Sequence, residues 1–331
     1  MLNAAVVGLG WWGQTIVRML EGSGKIRLAR VMTRSAAGTQ FAKARGLAVA
    51  TDYEQLLADK TVEAVILCTP HTTHLRLVLA AAQKGKHVFC EKPLALSLAD
   101  AKAEIAACNA ANVVLGVGHE RRFEPGILEL RRRVEKGELG KILQMEATFS
   151  QDKFFTIAPD NWRFSPTEAP AGPLTATGIH MLDLAISFFG PAEKVVAGSR
   201  NLMGAFANGD TLALLLMFKS GVQALIGALL ATPFDGRFAL YGRKAWADLR
   251  DLSHPDAPSS STLTLCREGG GRETMEFKGS SAVRDNLEAF AEAALGIRPY
   301  PITQQEMISN IAALEAAFKS AASGEVEKVA A

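Results

Sequence analysis

Apolar runs of strand length recur through the first 120 residues, and a segment with helical spacing follows most of them. The runs cover residues 3–7, 26–32, 47–50, 62–68, 87–90 and 113–117. A strand that is apolar at nearly every position is buried on both faces, and strands that alternate with helices build a parallel sheet. Residues 1–120 are therefore predicted to form a doubly wound α/β domain, in which ligands bind beyond the carboxyl ends of the strands.

The pattern changes at residues 118–123, which we interpret as a hinge. Beyond it, a helix is expected over residues 178–189, and short turns join a series of strand-like runs. These runs cover residues 144–151, 193–201, 210–218, 221–230, 236–242, 245–250, 261–266 and 272–277. Short turns between such strands favour an antiparallel sheet. Two helices at about 283–295 and 303–323 end the chain, so residues 121–331 are predicted to form an α+β domain on a large, mostly antiparallel sheet.

A glycine-rich turn follows the first predicted strand and opens the first predicted helix. Gly8, Gly10 and Gly13 have the spacing GxGxxG. In this context the first two glycines allow a tight turn and a close approach of the backbone to a pyrophosphate, and the third allows helix and strand to pack closely. We therefore predict a dinucleotide site, with Trp11 and Trp12 packed beside the cofactor or between domains. The alternative is a turn that needs glycine for steric reasons only.

The second strand ends in Thr33-Arg34-Ser35, without the carboxylate that would accept hydrogen bonds from an adenosine ribose. Arg34 can pair with a 2′-phosphate, and Thr33 or Ser35 can donate hydrogen bonds to it. The sequence thus favours NADP as the cofactor. An exposed arginine, with NAD bound less selectively, is the alternative, so NAD stays possible.

Further polar residues follow the carboxyl ends of the other predicted strands, where one crevice can collect them. The candidates for cofactor contact are Thr69, Pro70, His71, His74, Glu91, Lys92 and His119. His71 and His74 also suggest a metal site, but no third and fourth ligand with suitable spacing is near them in the sequence. We therefore interpret both histidines as part of a helix-start loop beside the cofactor, and we predict no metal.

Composition and charge narrow the partners and the compartment. A net charge of +2 over 331 residues gives no field that would attract nucleic acid or an anionic membrane. The four cysteines are scattered without a CxxC pair, which fits a reducing compartment. A strand begins at about residue 3, where a leader peptide would need a longer apolar stretch, and no apolar run reaches the ~18 residues of a membrane span. The sequence predicts a cytoplasmic protein with a small-molecule substrate.

Two further motifs carry a resemblance to a known family. They are Thr69-Pro70-x-x-x-His74 with Gly85-Lys86-His87-Val88-Phe89-Cys90-Glu91-Lys92-Pro93, and Gly178-Ile179-His180-x-x-Asp183 preceded by Arg121-Arg122-Phe123. With the glycine-rich turn, they resemble the glucose-fructose oxidoreductase and inositol dehydrogenase (Gfo/Idh/MocA) family over essentially the whole chain. The resemblance implies a Rossmann domain and a C-terminal domain on an open-faced sheet, whose faces pack together in homodimers or homotetramers. It also implies hydride transfer to or from a hydroxyl or carbonyl of a sugar, cyclitol or related small molecule.

The same resemblance implies roles for individual residues. Lys92 corresponds to the family's acid/base lysine, which contacts the substrate, and its pKa is expected to be depressed beside a cationic nicotinamide. His180 corresponds to a histidine that bonds the reacting oxygen or shares the proton transfer. Asp183 lies on the same helical face, where it binds a substrate hydroxyl or orients the helix. Trp162 and Arg163 are candidates for lining the substrate pocket, with a structural role as the alternative.

One position departs from the family's pattern. Many family dehydrogenases have an aspartate four residues before the histidine, whereas this chain has Ala176 between Thr175 and Thr177. A neighbouring threonine can replace the hydrogen bond of that aspartate but not its charge. Two alternatives to a dehydrogenase follow: a non-catalytic dinucleotide-binding sensor or regulator, and a redox-assisted lyase or glycosidase that retains its cofactor.

Overall fold

The computed structural model describes residues 1–254 and 256–330, and it divides them into two compact units. Met1–Glu120 and Val283–Met307 form the first unit, and Arg121–Ala282 with the residues from Ile308 onward forms the second. These units divide after residue 120, and residues 283–307 group with the first unit, whereas the sequence predicted continuous domains of residues 1–120 and 121–331.

A parallel sheet is the centre of the first unit. Its strands are β1 (Leu2–Val7), β2 (Ile26–Met32), β3 (Val49–Ala50), β4 (Ala64–Leu67), β5 (His87–Cys90) and β6 (Leu115–Val117), and they lie in the order β3-β2-β1-β4-β5-β6. The helices between them are α1 (Trp11–Leu20), α2 (Ala36–Lys43), α3 (Tyr53–Ala58), α4 (His74–Gln83) and α5 (Leu98–Ala110). Every side chain of β4 is completely buried, as expected for a strand covered on both faces. The doubly wound parallel sheet is thus confirmed.

The order of the strands defines where this unit can bind a ligand. The chain moves outward from β1 to β2 and β3, and then returns to place β4 on the other side of β1. Ligands of doubly wound sheets bind at the carboxyl ends of the strands, at the point where the order reverses. The loops after β1 and β4 therefore line the expected binding crevice.

The second unit is built on a larger sheet. Its strands include β7 (Ile142–Ser150), β8 (Ala192–Arg200), β9 (Thr211–Phe218), β10 (Gln223–Leu229), β11 (Asp235–Gly242), β12 (Ala245–Asp251), β13 (Ser259–Arg267) and β14 (Arg272–Ser280). Neighbouring strands are antiparallel except for β7 and β10, which are parallel. Helices α6 (Pro125–Glu135) and α7 (Ile179–Phe189) belong to this unit. The mostly antiparallel sheet that the sequence predicted is confirmed.

The last elements are divided between the units. Helix α8 (Ala282–Ala294) returns to the first unit, where Phe290 contacts Phe89 edge to face at 5.5 Å. The amide of Asn286 and the hydroxyl of Tyr300 both donate to the carbonyl oxygen of Val117, at 3.0 and 2.9 Å. Helix α9 (Gln304–Ser323) is followed by β15 (Glu327–Lys328), which pairs with β8 and completes the order β14-β13-β12-β11-β7-β10-β9-β8-β15. None of the helices in the described ranges has the length and apolar composition of a membrane-crossing segment.

Candidate functional site

Steric limits explain why the turn after β1 needs glycine. Gly8 has a φ of +96°, and a Cβ added to it would lie 2.5 Å from the carbonyl oxygen of Cys68. A Cβ on Gly13 would lie 1.9 Å from the carbonyl oxygen of Gly8, so the close packing of α1 on this turn requires a residue without a side chain. Gly10 is the N-cap of α1, and a Cβ there would meet no described atom within 4 Å. The open space beside Gly10, at a helix N-terminus, fits the pyrophosphate of a dinucleotide.

Trp11 and Trp12 form the first turn of α1, with their ring centroids 5.5 Å apart. Trp12 packs against the core cluster that includes Leu9 and Ile16, whereas the ring of Trp11 is exposed. The two side chains therefore differ: Trp12 anchors the helix start, whereas contact of either tryptophan with a cofactor stays a prediction.

At the end of β2, the side chains of Thr33, Arg34 and Ser35 make different contacts. The hydroxyl of Thr33, a buried residue, accepts a hydrogen bond from the Ser35 N–H at 3.2 Å. The Ser35 hydroxyl accepts from the Gly38 N–H at 3.0 Å and thereby caps α2. Arg34 is exposed and makes no hydrogen bond or ion pair with any residue of the described ranges. Of the three, Arg34 is the side chain that is available to pair with a ligand phosphate.

His74 connects the loop after β4 to the turn that contains Lys92. Its side chain is completely buried at the start of α4. Nδ1 lies 3.0 Å from the carbonyl oxygen of Pro93 and 3.1 Å from that of Leu94, and Nε2 lies 3.2 Å from the carbonyl oxygen of Thr69. The ring therefore positions the backbone just after Lys92, a role that sequence reasoning missed because all three contacts are with main-chain carbonyl oxygens.

Two further histidines of these loops, His71 and His119, are also buried. His71 lies in the short 3₁₀ turn that begins after Pro70, with its ring 5.8 Å from that of His74. His119 follows β6 and is 2% exposed. Among residues 1–254 and 256–330, no group of three His, Cys, Asp or Glu side chains could hold a metal ion. Cofactor contact by Thr69, Pro70, His71, His74 and His119 stays a prediction.

Lys92 is half-buried and follows β5, and its peptide bond to Pro93 is cis. Its N–H donates to Oε2 of Glu91 at 3.3 Å. A Cβ on Gly118, after β6, would lie 2.6 Å from the same oxygen, so the absence of a side chain there makes room for the carboxyl group of Glu91. Burial raises the pKa of Glu91 above its ordinary value, and the carboxylate of Glu120 raises it further. A lysine and a carboxyl group with a raised pKa are thus adjacent at this strand end.

In the second unit, His180 lies in the first turn of α7 and is 5% exposed. Its ring centroid is 5.6 Å from that of Phe149, at the end of β7. The guanidinium of Arg121 lies over the same ring, 4.8 Å from the Phe149 centroid, and it pairs with Asp251. The aromatic ring of Phe149 therefore contacts both His180 and a buried arginine.

Asp183 forms a buried ion pair that the sequence did not reveal. Its two carboxylate oxygens accept from Nε and Nη2 of Arg122, both at 2.7 Å. Both side chains are almost inaccessible, so the pair fixes α7 to the turn at residues 120–123. The pair is consistent with the expected role of Asp183 in orienting the helix, and its contact with a substrate hydroxyl stays a prediction. The arginine stands 61 residues away in the sequence, which is why spacing alone could not find the pair.

A π-helical turn, Leu174–Gly178, precedes α7, where the sequence predicted a helix only from residue 178. The hydroxyls of Thr175 and Thr177 donate to the carbonyl oxygens of Gly172 and Pro173, both at 3.2 Å, and both threonines are buried. These hydroxyls therefore have main-chain partners. Ala176, between them, packs against an apolar cluster. Replacement of the aspartate's hydrogen bond by one of these threonines stays a prediction.

Trp162 and Arg163 lie in a short 3₁₀ turn, Trp162–Phe164. The guanidinium of Arg163 stacks on the indole of Trp162, 4.3 Å from the ring centroid. The side-chain amide of Asn208 donates to the carbonyl oxygens of Arg163 and Ala169, both at 2.7 Å. The loop that the sequence identified as a pocket wall is therefore held by specific hydrogen bonds, and a substrate contact of Trp162 or Arg163 stays a prediction.

The fold and the glycine turn define a protein that binds a nicotinamide dinucleotide, and comparison with known proteins gives the family. A family model described as an oxidoreductase family with an NAD-binding Rossmann fold matches residues 2–119, and a model of the GFO/IDH/MocA C-terminal domain matches residues 127–248. The chain belongs to the GFO/IDH/MocA family. It is an NAD(P)-dependent dehydrogenase or reductase that acts on CH–OH groups.

Three similar proteins illustrate the range of this family. A 1,5-anhydro-D-fructose reductase of Ensifer adhaerens is 25% identical over 99% of this chain and 97% of its own length. A crystal structure of a candidate NADPH-dependent oxidoreductase from Desulfitobacterium hafniense superimposes with a TM-score of 0.89 and 26% identity, covering 99% of this chain and 97% of that one. The structure of GenD2 from gentamicin A biosynthesis, in complex with NAD, has a TM-score of 0.85 and 25% identity, covering 100% of this chain and 97% of that one.

Proposed function

We propose that this protein is an NADP-preferring oxidoreductase that moves a hydride to or from a hydroxyl or carbonyl of a sugar, a cyclitol or a related small molecule, with Lys92 as the acid/base. The observation that carries the proposal is the position of Lys92 at the carboxyl end of β5, in the unit that also has the glycine turn. Ligands of such sheets bind beyond these strand ends. A bound nicotinamide supplies the group that accepts or donates the hydride.

Lys92 exchanges the proton that leaves or joins the reacting oxygen as the hydride moves. Its position is well determined, because His74 holds the carbonyl groups of the next two residues and Glu91 accepts from its own N–H. Precise positioning of the proton-transfer group is what such catalysis requires. By the family motif, His180 bonds the same oxygen and assists the proton transfer.

The proposed preference for NADP is argued from the residues that follow β2. Arg34 is exposed beside the capped N-terminus of α2, and a guanidinium with a helix N-terminus is a favourable site for a 2′-phosphate. The similar proteins with a stated coenzyme include both NADPH and NAD, so the argument depends on this chain's own residues.

We further propose that the protein is cytoplasmic and assembles as a homodimer or homotetramer through the open face of the sheet in the second unit. Alternate residues of β10 are exposed on that face, Leu225 and Leu229 among them. Apolar side chains on an exposed sheet face are typical of a surface that another chain covers.

The test of the catalytic role is the variant Lys92→Met. It removes the exchangeable proton and keeps most of the side-chain volume, so we expect turnover to fall by about 10²- to 10⁴-fold. Affinity for NADPH, measured by tryptophan quenching, should stay nearly unchanged. Turnover is followed by the absorbance of the reduced nicotinamide over a panel of sugars, cyclitols and aldehydes.

Two further variants sharpen this test. Lys92→Arg keeps the positive charge but holds its proton too tightly for acid/base exchange, so it should be as inactive as Lys92→Met. Lys84→Met, at an exposed position after α4, is the matched control and should keep full activity. Full turnover in Lys92→Met would show that the acid/base is another residue.

A further inference from the structure

The second unit contains an aromatic cluster that the proposed chemistry does not use. Its buried members are Phe154, Phe164, Phe206 and Leu230. The ring of Phe164 stacks on that of Phe206 with a centroid distance of 5.0 Å and an angle of 3°, and Phe154 contacts both rings edge to face. Parallel and edge-to-face pairs of this kind stabilise one arrangement of the rings, so the cluster is a preformed wall.

Ala176 belongs to the border of this cluster. Its side chain packs against the buried rings together with that of Ile157. Ala176 stands four residues before His180 in a continuous helical stretch, at the position where many family members have an aspartate. A carboxylate would bind a hydroxyl group, whereas a methyl group beside phenylalanine rings provides an apolar contact. Ala176 therefore adds apolar surface to this cluster, where an aspartate would add a charge.

The same rings line a cavity of about 600 Å³. Its apolar walls are Phe154, Phe155, Ile157, Pro159, Phe164 and Phe206. An apolar cavity of about 150 Å³ is enough to hold a benzene molecule, so this space accepts a ring with substituents. The volume also lies in the range of small-molecule sites, about 300–1,000 Å³.

The polar residues around the cavity restrict the charge of its ligand. Asp160, Asn161 and Ser165 are the polar side chains among the described residues that line it, and no lysine or arginine is among them. Asn161 accepts from the Arg163 N–H at 3.1 Å and Ser165 accepts from the Thr167 N–H at 3.3 Å, so both contribute to the loop structure. With one carboxylate and no cation in the lining, an acidic ligand is repelled.

We propose that this cavity is a substrate subsite for an uncharged aromatic or cyclic aliphatic group, carried by the molecule whose hydroxyl or carbonyl reacts. The assignment of its occupant as part of a substrate rests on the oxidoreductase function proposed above. The apolar wall and the absence of a basic residue from the described lining favour this class over a free polyol or a sugar acid.

Binding is tested directly, without turnover, by ¹⁹F NMR titration of the full chain with 4-fluorobenzyl alcohol. The comparison probes are 4-fluorobenzoate, which adds a negative charge, and 6-deoxy-6-fluoro-D-glucose, which has no apolar ring. We expect the alcohol to bind at least about tenfold more tightly than either, because only it combines apolar area with neutrality.

The variant Phe155→Ala removes one wall of the cavity at a side chain that is 53% exposed, so the fold should survive, and a melting curve checks this. We expect it to weaken binding of the alcohol by about fivefold or more. The matched control is Leu202→Ala, an exposed apolar residue outside the lining, which should leave binding unchanged.

The outcomes separate the two proposals. If the alcohol does not bind, or binds equally to Phe155→Ala, the subsite proposal is overturned. If 4-fluorobenzoate binds as well as the alcohol, the assignment to uncharged groups is overturned. If the expected binding pattern is found but no hydroxyl or carbonyl compound is turned over, the aromatic subsite stands and the oxidoreductase proposal fails.

Discussion

Arg34 is the residue on which the choice of coenzyme depends. It is exposed at the end of β2, where an acidic side chain would select NAD, and within the described ranges it makes no internal pair. Charge-assisted hydrogen bonds to a phosphate are each worth about 1.5–3 kcal/mol. We therefore expect Arg34→Ala to lower the affinity for NADPH by about ten- to a hundredfold while that for NADH changes little. Parallel titrations followed by tryptophan quenching measure both affinities.

Arg27→Ala is the matched control for this experiment. Arg27 lies at the opposite end of β2, where its Nε donates to Asn3 Oδ1 at 2.8 Å, far along the strand from the predicted phosphate site. Its replacement should leave both affinities unchanged. If NADH binds the unmodified protein as tightly as NADPH, the interpretation of Thr33-Arg34-Ser35 is wrong, although the dinucleotide site remains.

Some features of the candidate site could be predicted residue by residue from the sequence, and others could not. The steric need for glycine at positions 8 and 13 follows from motif spacing, and the geometry confirms it. The pairing of Arg122 with Asp183 and the contacts of His74 with main-chain carbonyls depend on residues that are distant in sequence. No local pattern encodes such contacts, because they exist only after the elements have packed.

At the scale of elements, the strongly periodic segments were predicted well. Most strands of the parallel sheet are apolar at nearly every position, and this composition indicates them in the sequence. Three features were missed: the π-helical turn Leu174–Gly178, the short strand β15 and the parallel pairing of β7 with β10. A π-helical turn and a two-residue strand have no period that a sequence can show, and the direction of pairing is decided by the connections between strands.

Helix α5 contains a buried acid that should make stability depend on pH. Glu104 is completely buried, and within the described residues neither carboxylate oxygen has a hydrogen-bond partner. Burial, with a smaller contribution from Asp100, raises its pKa from 4.5 to about 9. The folded protein therefore keeps a proton that the unfolded chain releases above pH 4.5. The stabilisation is complete below pH 4.5, decreases as the pH rises towards about 9, and is lost above that value.

The variant Glu104→Met should remove this dependence. The contribution of Glu104 changes the free energy of unfolding by at most about 1.4 kcal/mol per pH unit, and a thioether of similar size has no proton to lose. Urea unfolding at several pH values between the two pKa values should give a flatter profile for Glu104→Met. Lys102→Met, at an exposed position of the same helix, should retain the wild-type slope. Equal slopes for Glu104→Met and wild type would mean that the buried carboxyl does not hold the proton.

At the scale of the whole molecule, the chain leaves the first unit once and comes back to it. The sequence could show the change of pattern near residue 120, because parallel and antiparallel sheets have different periodicity. It could not show that residues 283–307 rejoin the first unit, because an amphipathic helix packs equally well on either kind of sheet. The contact of Phe290 with Phe89 and the hydrogen bond from Asn286 to Val117 attach these residues to the first unit.

The proposed assembly depends on the open face of the sheet in the second unit. In β7, β11 and β12 this face carries an ion-pair network, in which Arg237 binds Glu146 at 2.9 Å and Asp248 at 2.6 Å. In β10 the exposed positions are apolar, and Leu225 is 43% exposed. A face that is polar on one side and apolar on the other suits an isologous interface, in which each half meets its counterpart in a second copy.

The last prediction tests this assembly through Leu225→Asp. A carboxylate at position 225 would be buried in the interface beside Glu146, its neighbour across the β7–β10 pair, and this is strongly unfavourable, so the variant should shift the protein to a smaller species. Sedimentation velocity over a range of protein concentrations measures the shift. Leu128→Asp, on the exposed surface of α6, adds the same charge and should leave assembly unchanged. An unaltered oligomer in Leu225→Asp, or a wild-type protein that is monomeric throughout, would show that this sheet face is not the interface. Because the glycine turn and Lys92 belong to the other unit, NADPH affinity should be the same in both variants.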